Sequence, residues 1–178
     1  MNKLTTSLML VSTMLVAGTS QAAQVNFSGE VTSQTCKFEG LSGGDFHNVA
    51  MGSVSQGLLQ TVGQTAGATP FSLSLSGCTT NDDIDIKWGA ANADQQNAGT
   101  LKNTESTGAA QNVNIQLLKV KLGGNEAIDL NNQNDSGKQH VTNGAQTYTF
   151  NYIAQFYATG ASKAGSVKSN ATIDIAYP

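Results

Sequence analysis

Apolar and polar residues alternate with a period of two along most of this chain. "VNFSGEV" puts Val25, Phe27, Gly29 and Val31 on one face, and "FSLSLSG" puts Phe71, Leu73 and Leu75 on one face with serines on the other. "IDIKW" aligns Ile84, Ile86 and Trp88, and "TYTFNYIAQFYA" aligns Tyr148, Phe150, Tyr152, Ala154 and Phe156. The chain ends on "TIDIAYP", where Ile173, Ile175 and Tyr177 alternate with Asp174 and Ala176. Period-two alternation is the mark of a half-buried β-strand, and no long run follows the 3.6-residue period of a helix. Gly- and Asn-rich stretches separate the runs: "GLSGGD", "TTNDD", "NADQQNAGT", "KLGGNE", "NNQNDSGK" and "ATGASKAG". Short strands divided by such turns predict an all-β, antiparallel sandwich.

Three places complicate this pattern. "VNIQLLKVKL" starts with Val113, Ile115 and Leu117, then passes to Leu118, Val120 and Leu122. That change of parity predicts a bulge or a strand that changes sheets. The stretch "GSVSQGLLQTVG" fits either a strand near Val54 or a short helix near Leu58. Val25 to Val31 occupy odd positions, whereas Cys36 and Phe38 occupy even ones. One flat strand cannot hold both sets on one face, so "VNFSGEV" reads as a separate apolar strand leading into the domain.

The first residues carry an export signal. Lys3 precedes the apolar "LTTSLMLVSTMLVAG", and "SQA" at Ser20 to Ala22 offers small residues for cleavage after Ala22. The apolar run is too short and too rich in Ser and Thr to be read as a membrane span. About 155 residues remain, the size of one domain. They contain two cysteines, Cys36 and Cys78, and in an exported protein these read as one disulfide. No His or carboxylate stands at ligand spacing beside either, so no metal is expected.

Charge and polar motifs exclude more than they suggest. The formal net charge is −3, one unit more negative once Lys3 leaves with the leader, and every basic residue except the two histidines is lysine. Nucleic-acid recognition leans on arginine and positive patches, so no nucleic-acid partner is expected. His47 and His140 fall in no catalytic or metal motif and read as solvated loop residues. "NDDIDIK" lacks the central Gly and terminal Glu of a calcium loop and reads as a turn entering a strand. "NAT" at Asn170 fits a glycosylation sequon but is assigned to the last strand. No enzymatic activity and no cofactor are expected.

Four marks together resemble the structural subunits of chaperone–usher fimbriae, the type 1 fimbrial pilin family. They are "VNFSGEV" shortly before the first Cys, the pair Cys36 and Cys78 with the second ending "FSLSLSGC", the late "YTFNYIAQFYATG", and the closing "GSVKSNATIDIAYP". In the last, Gly165 stands fourteenth from the end and Tyr177 is penultimate. The resemblance spans the whole mature chain. It implies an incomplete immunoglobulin-like β-sandwich lacking its last strand, completed in trans by a donor strand. Residues 1–22 are then the signal peptide, 23–33 the donor-strand arm and 34–178 the pilin domain.

The resemblance also implies roles and partners. Val25, Phe27, Gly29 and Val31 form the donor strand. Gly165, Ile173, Ile175 and Tyr177 form the chaperone-recognition and groove-edge set. The partners are a periplasmic pilus chaperone, an outer-membrane usher and neighbouring subunits. The protein passes through the periplasm to a cell-surface fimbrium, where it supports adhesion, most simply as the major subunit. The alternatives are a minor or adaptor subunit, or a monomeric secreted sugar- or receptor-binding domain.

Overall fold

The computed structural model describes residues 36–39, 47–78, 82–132, 139–141 and 147–177. All fall in the compact unit Ser33–Pro178. The expected leader, and the expected arm with Val25, Phe27, Gly29 and Val31, lie outside the described residues.

Ten strands form among the described residues. They are β1 (Lys37–Glu39), β2 (Thr65–Ser76), β3 (Asp82–Gly89), β4 (Ala93–Asp94), β5 (Thr100–Leu101), β6 (Gln111–Lys119), β7 (Glu126–Ala127), β8 (Gln139–Val141), β9 (Tyr148–Lys163) and β10 (Thr172–Ala176). The stretch around Leu58 takes the helical alternative, as one 3-10 turn over Gln56–Leu58. Its N-cap is Ser55, whose hydroxyl accepts a hydrogen bond from the Gly57 N–H. The fold is therefore all-β, as the alternation predicts.

The strands make two sheets. The larger has the order β1-β2-β9-β6-β5-β4, with β7 beside β5 on the far edge of β6; the smaller has the order β10-β3-β8. All strand pairs are antiparallel. The core forms where the inward faces meet. It takes Leu73 and Leu75 from β2, Ile84, Ile86 and Trp88 from β3, Ile115 and Leu117 from β6, and Tyr148, Phe150 and Tyr152 from β9. These are the positions the alternation marks. Trp88 meets Tyr152 edge-on at 5.1 Å, and Phe71 stacks on Tyr152 at 5.5 Å, geometries that aromatic quadrupoles favour. Burial pushes the Tyr152 phenol well above its ordinary pKa. A second cluster of Leu59, Val113, Phe156 and Ala158 lies under the 3-10 turn.

The structure corrects four expectations. First, β6 does not change parity at Leu117. Val113, Ile115, Leu117 and then Lys119 stay on the buried side, while Val120 is 45% exposed and Leu122 lies fully in solvent. Two neighbours pin the register: Leu118 pairs with Ile153 on one side and Ala127 on the other. Shifting it would break both ladders. Lys119 is tolerated inward because its ammonium reaches Glu126 at 3.7 Å. The irregularity falls instead between Gln111 and Val113, where Asn112 has φ 56°.

Second, "ATGASKAG" is mostly strand, since β9 runs through Lys163. Gly160 leaves space for the Asn112 side chain, which donates to Ala161 O at 2.9 Å. The small residues that look like a turn thus admit the bulge of the neighbouring strand. Third, His140 lies on β8 and not in a loop; His47 is exposed outside any strand, its ring 6.0 Å from that of Phe71. Fourth, Asn170 is exposed and precedes β10.

The β4–β5 turn is held by Asp94. Burial alone would push its carboxyl up in pKa, but hydrogen bonds from Asn97, Asn114 and the Gln96 N–H, with the charge of Lys102, outweigh it and hold it below the ordinary value. Asn97 and Asn114 both donate to Oδ2 at 2.9 Å.

Candidate functional site

The candidate site lies along β1 and β10, edge strands of the two sheets. Among the described residues β1 pairs only with β2, and β10 only with β3. The two edges meet at one end. The backbone N–H of Cys36, just before β1, donates to the Tyr177 hydroxyl, just after β10, at 2.7 Å. The Cys36–Cys78 disulfide, with Cα atoms 4.1 Å apart, fastens the start of β1 to the residues following β2.

Burial along these edges departs from the rest of the core. Ile86 is 0% exposed and Trp88 8% exposed. Ile175 and Ile173 stand directly opposite them in register and so on the same face, yet both are only half-buried. Phe38 on β1 and Tyr177 are half-buried too, and all four pack against the main core cluster. An inward side chain is covered by strands on both sides within a sheet and on one side at its edge. Half-covered apolar side chains beside an unpaired row of N–H and C=O groups are what an added strand needs: ladder partners along its length and pockets for alternate side chains. Charge stays on the outer face, where Asp174 is exposed and stands opposite Lys87.

The structure thus brings Ile173, Ile175 and Tyr177 together, but Gly165 makes its close contacts elsewhere. Gly165 lies against the backbone of residues 108–110, where an added Cβ would come within 2.6 Å of Gly108 O. Its neighbour Ser166 is bonded on both sides, donating from N–H to Gly108 O at 2.8 Å and accepting from the Ala110 N–H at 2.9 Å. The sequence gives no sign of the residue that organises this contact. Asn103 donates through Nδ2 to Ala110 O and Ser166 O, and its Oδ1 accepts from the Lys168 N–H at 3.0 Å. Thr104 adds N–H and hydroxyl bonds to Lys168 O. The strand-leading segment is therefore clasped by a loop some sixty residues earlier, as the separation of 65 between Lys168 and Asn103 records. Gly165→Ala is expected to destabilise the chain by about 1–3 kcal/mol, the usual cost of overpacking. A thermal melt checks this, and an unchanged midpoint would remove the close-approach explanation.

Comparison with known proteins identifies the chain. The family model described as "Fimbrial protein" matches residues 25–178.

The chain belongs to the fimbrial protein family.

This fimbrial protein is 34% identical over 189 aligned positions to a major fimbrial subunit of Haemophilus influenzae, covering 89% of this chain and 88% of that one. It is equally, 34%, identical over 160 positions to the minor fimbrial subunit HifD of the same organism, covering 86% and 73%. The F17 fimbrial protein of Escherichia coli is also 34% identical, over 172 positions, with 86% of each chain covered. Among solved structures, a chaperone–usher pilus described for its rod uncoiling superposes with a TM-score of 0.59 at 14% identity, covering 94% of this chain and all of that one. The P pilus rod subunit PapA superposes with a TM-score of 0.58 at 13% identity, covering 80% and 99%. At such identities the superpositions speak for the fold, and that fold is the incomplete immunoglobulin-like sandwich of pilins. The family makes this chain a structural subunit of a surface fimbrium and not an enzyme.

Proposed function

We propose that this fimbrial protein is the major subunit of a fimbria and polymerises head-to-tail by donor-strand exchange. The observation that carries the proposal is the half-burial of Ile173 and Ile175 on the core face of an edge that, among the described residues, pairs on one side only. The arm of residues 23–33 supplies the missing strand to the next subunit, with Val25, Phe27 and Val31 entering the opening and Gly29 passing its most crowded point. The domain of residues 34–178 receives the arm of the subunit on its other side. Because the donor and acceptor surfaces differ, the contact repeats without closing and generates a fibre.

Before assembly the same edge needs cover. A periplasmic pilus chaperone supplies it, recognising Ile173, Ile175 and Tyr177 along β10 and the segment from Gly165 that leads into it. An outer-membrane usher then exchanges the chaperone for the next subunit's arm. Cleavage after Ala22 frees the arm for this step.

The test is to shear surface fibres from the producing cells and run them unheated in SDS. A ladder of multimers with this chain as the most abundant component is expected. A lone monomer band would refute polymerisation, and a ladder in which this chain is scarce would refute the major-subunit assignment.

A further inference from the structure

We propose that Asn103 is a positioning residue for strand insertion: its side-chain amide clasps the segment leading into β10, so the edge carrying Ile173 and Ile175 is already formed when a strand arrives. The inference rests on the strand-insertion reading given above and names what keeps the acceptor edge ready.

β10 needs such a hold. It spans five residues, Thr172–Ala176, and among the described residues it is bonded on one side only, to β3. Its inward residues Ile173 and Ile175 are only half-buried. The segment before it is mostly exposed at Gly165, Ser166, Lys168 and Asn170, with Val167 and Ala171 as its apolar contacts to the core. A short ladder at an edge opens from its ends. An edge that had to be ordered during binding would weaken the partner's hold by the backbone entropy lost.

The Asn103 amide meets this need with every hydrogen-bonding position it has. Nδ2 donates to Ala110 O at 3.1 Å and to Ser166 O at 2.9 Å, and Oδ1 accepts from the Glu105 N–H at 3.1 Å and the Lys168 N–H at 3.0 Å. Two donors and two lone pairs are the full capacity of a side-chain amide. Carboxylate chemistry cannot replace it, since two of the partners are carbonyl oxygens. Neighbouring bonds extend the clasp toward β10. Thr104 donates from its N–H and its hydroxyl to Lys168 O. The Ser169 hydroxyl donates to Lys102 O at 2.8 Å and accepts from Asn92 Nδ2 at 2.6 Å. The first ladder pair of β10, Thr172 with Gly89, follows three residues later. At the other end of β10 the Tyr177 hydroxyl accepts from the Cys36 N–H. The strand is thus held at both ends by bonds that do not depend on a partner strand.

The experiment uses the full mature chain as wild type, Asn103→Ala and Asn103→Asp, the last keeping the volume and losing the donors. Amide exchange is followed residue by residue, and binding of a labelled peptide of residues 23–32 is followed by fluorescence anisotropy. In both variants residues 166–176 should exchange about tenfold faster, with β6 and β9 unchanged, and the peptide should bind about tenfold more weakly. Equal acceleration in β6 and β9 would make Asn103 a residue of general stability and overturn the inference. Unchanged exchange, unchanged peptide affinity, or wild-type behaviour of Asn103→Asp would overturn it while leaving strand insertion intact. No peptide binding by wild type overturns strand insertion itself, and the inference with it. The wild-type chain alone supplies a measurement independent of the variants' folding. Its Ser166 and Lys168 amides should exchange no faster than the β10 amides bonded to β3, because an anchor cannot open before the strand it holds. Faster exchange at Ser166 and Lys168 would overturn the inference even if neither variant folded.

Discussion

Deleting residues 23–32 is expected to abolish the multimer ladder while leaving a chain that a chaperone still captures. The effect is directional. On the proposed donor-strand reading, the β1 and β10 edges belong to the acceptor and keep Phe38, Ile173, Ile175 and Tyr177, whereas the donor face is gone. Val25, Phe27 and Val31 are each worth about 1.5–3 kcal/mol when buried, and on the proposed reading they complete a fold that is otherwise short of a strand. A peptide of residues 23–32 added to the truncated chain should therefore raise its melting temperature, since a ligand that binds only the folded state stabilises it. Phe27→Asp in the peptide should erase the shift by bringing an unpaired carboxylate into an apolar slot. Gly29→Leu should weaken it through clash alone. Equal stabilisation by the wild-type and Phe27→Asp peptides would make the N-terminal run an ordinary strand of its own domain.

Loss of the disulfide should have the second largest effect. Cys36 and Cys78 are separated by 42 residues in sequence, and closing such a loop is worth about 4 kcal/mol on the chain-entropy account. That is a large share of the stability of a small domain, and this domain has an edge still to be covered. The bond also fixes the Cys36 N–H that Tyr177 accepts from, so reduction loosens one end of the opening as well as the fold. Cys36→Ser is expected to cut the yield of assembled fibre at least tenfold, through periplasmic loss of the unfolded chain. Quantifying fibres and periplasmic subunit side by side checks it. Wild-type fibre yield from Cys36→Ser would show that the strands alone hold β1 in place.

Local patterning was enough for much of this protein. The strand class, the inward faces of β2, β3 and β9, and the two cysteines were legible because each depends on neighbours in sequence. Leu73 and Leu75, Ile84 and Ile86, and Tyr148 through Phe156 alternate and are buried as that alternation requires. The same pattern failed where the other face or a second strand decided. In β6, Leu118 and Val120 looked like the start of a new inward face. Pairing with β9 and β7 kept Lys119 inward instead, with Glu126 to receive its charge. The small residues from Ala158 to Lys163 looked like a turn because nothing local reveals that Asn112, on another strand, needs the space at Gly160.

The sequence by itself determined that the chain is a β-protein whose strands carry their apolar residues on one face, because that alternation is written in consecutive residues. It also pointed to Ile173, Ile175 and Tyr177, though only through a resemblance. Tertiary structure decided where those residues stand. It set Ile173 and Ile175 opposite the buried Trp88 and Ile86 of β3 yet left them half-buried, and it brought Tyr177 to Cys36 across 141 positions. It also set Gly165 in the clasp around Asn103 and Ser166. Exposure at a sheet edge and bonds between distant residues are properties of the assembled chain. No periodicity along the sequence encodes them, because they depend on which strand ends beside which.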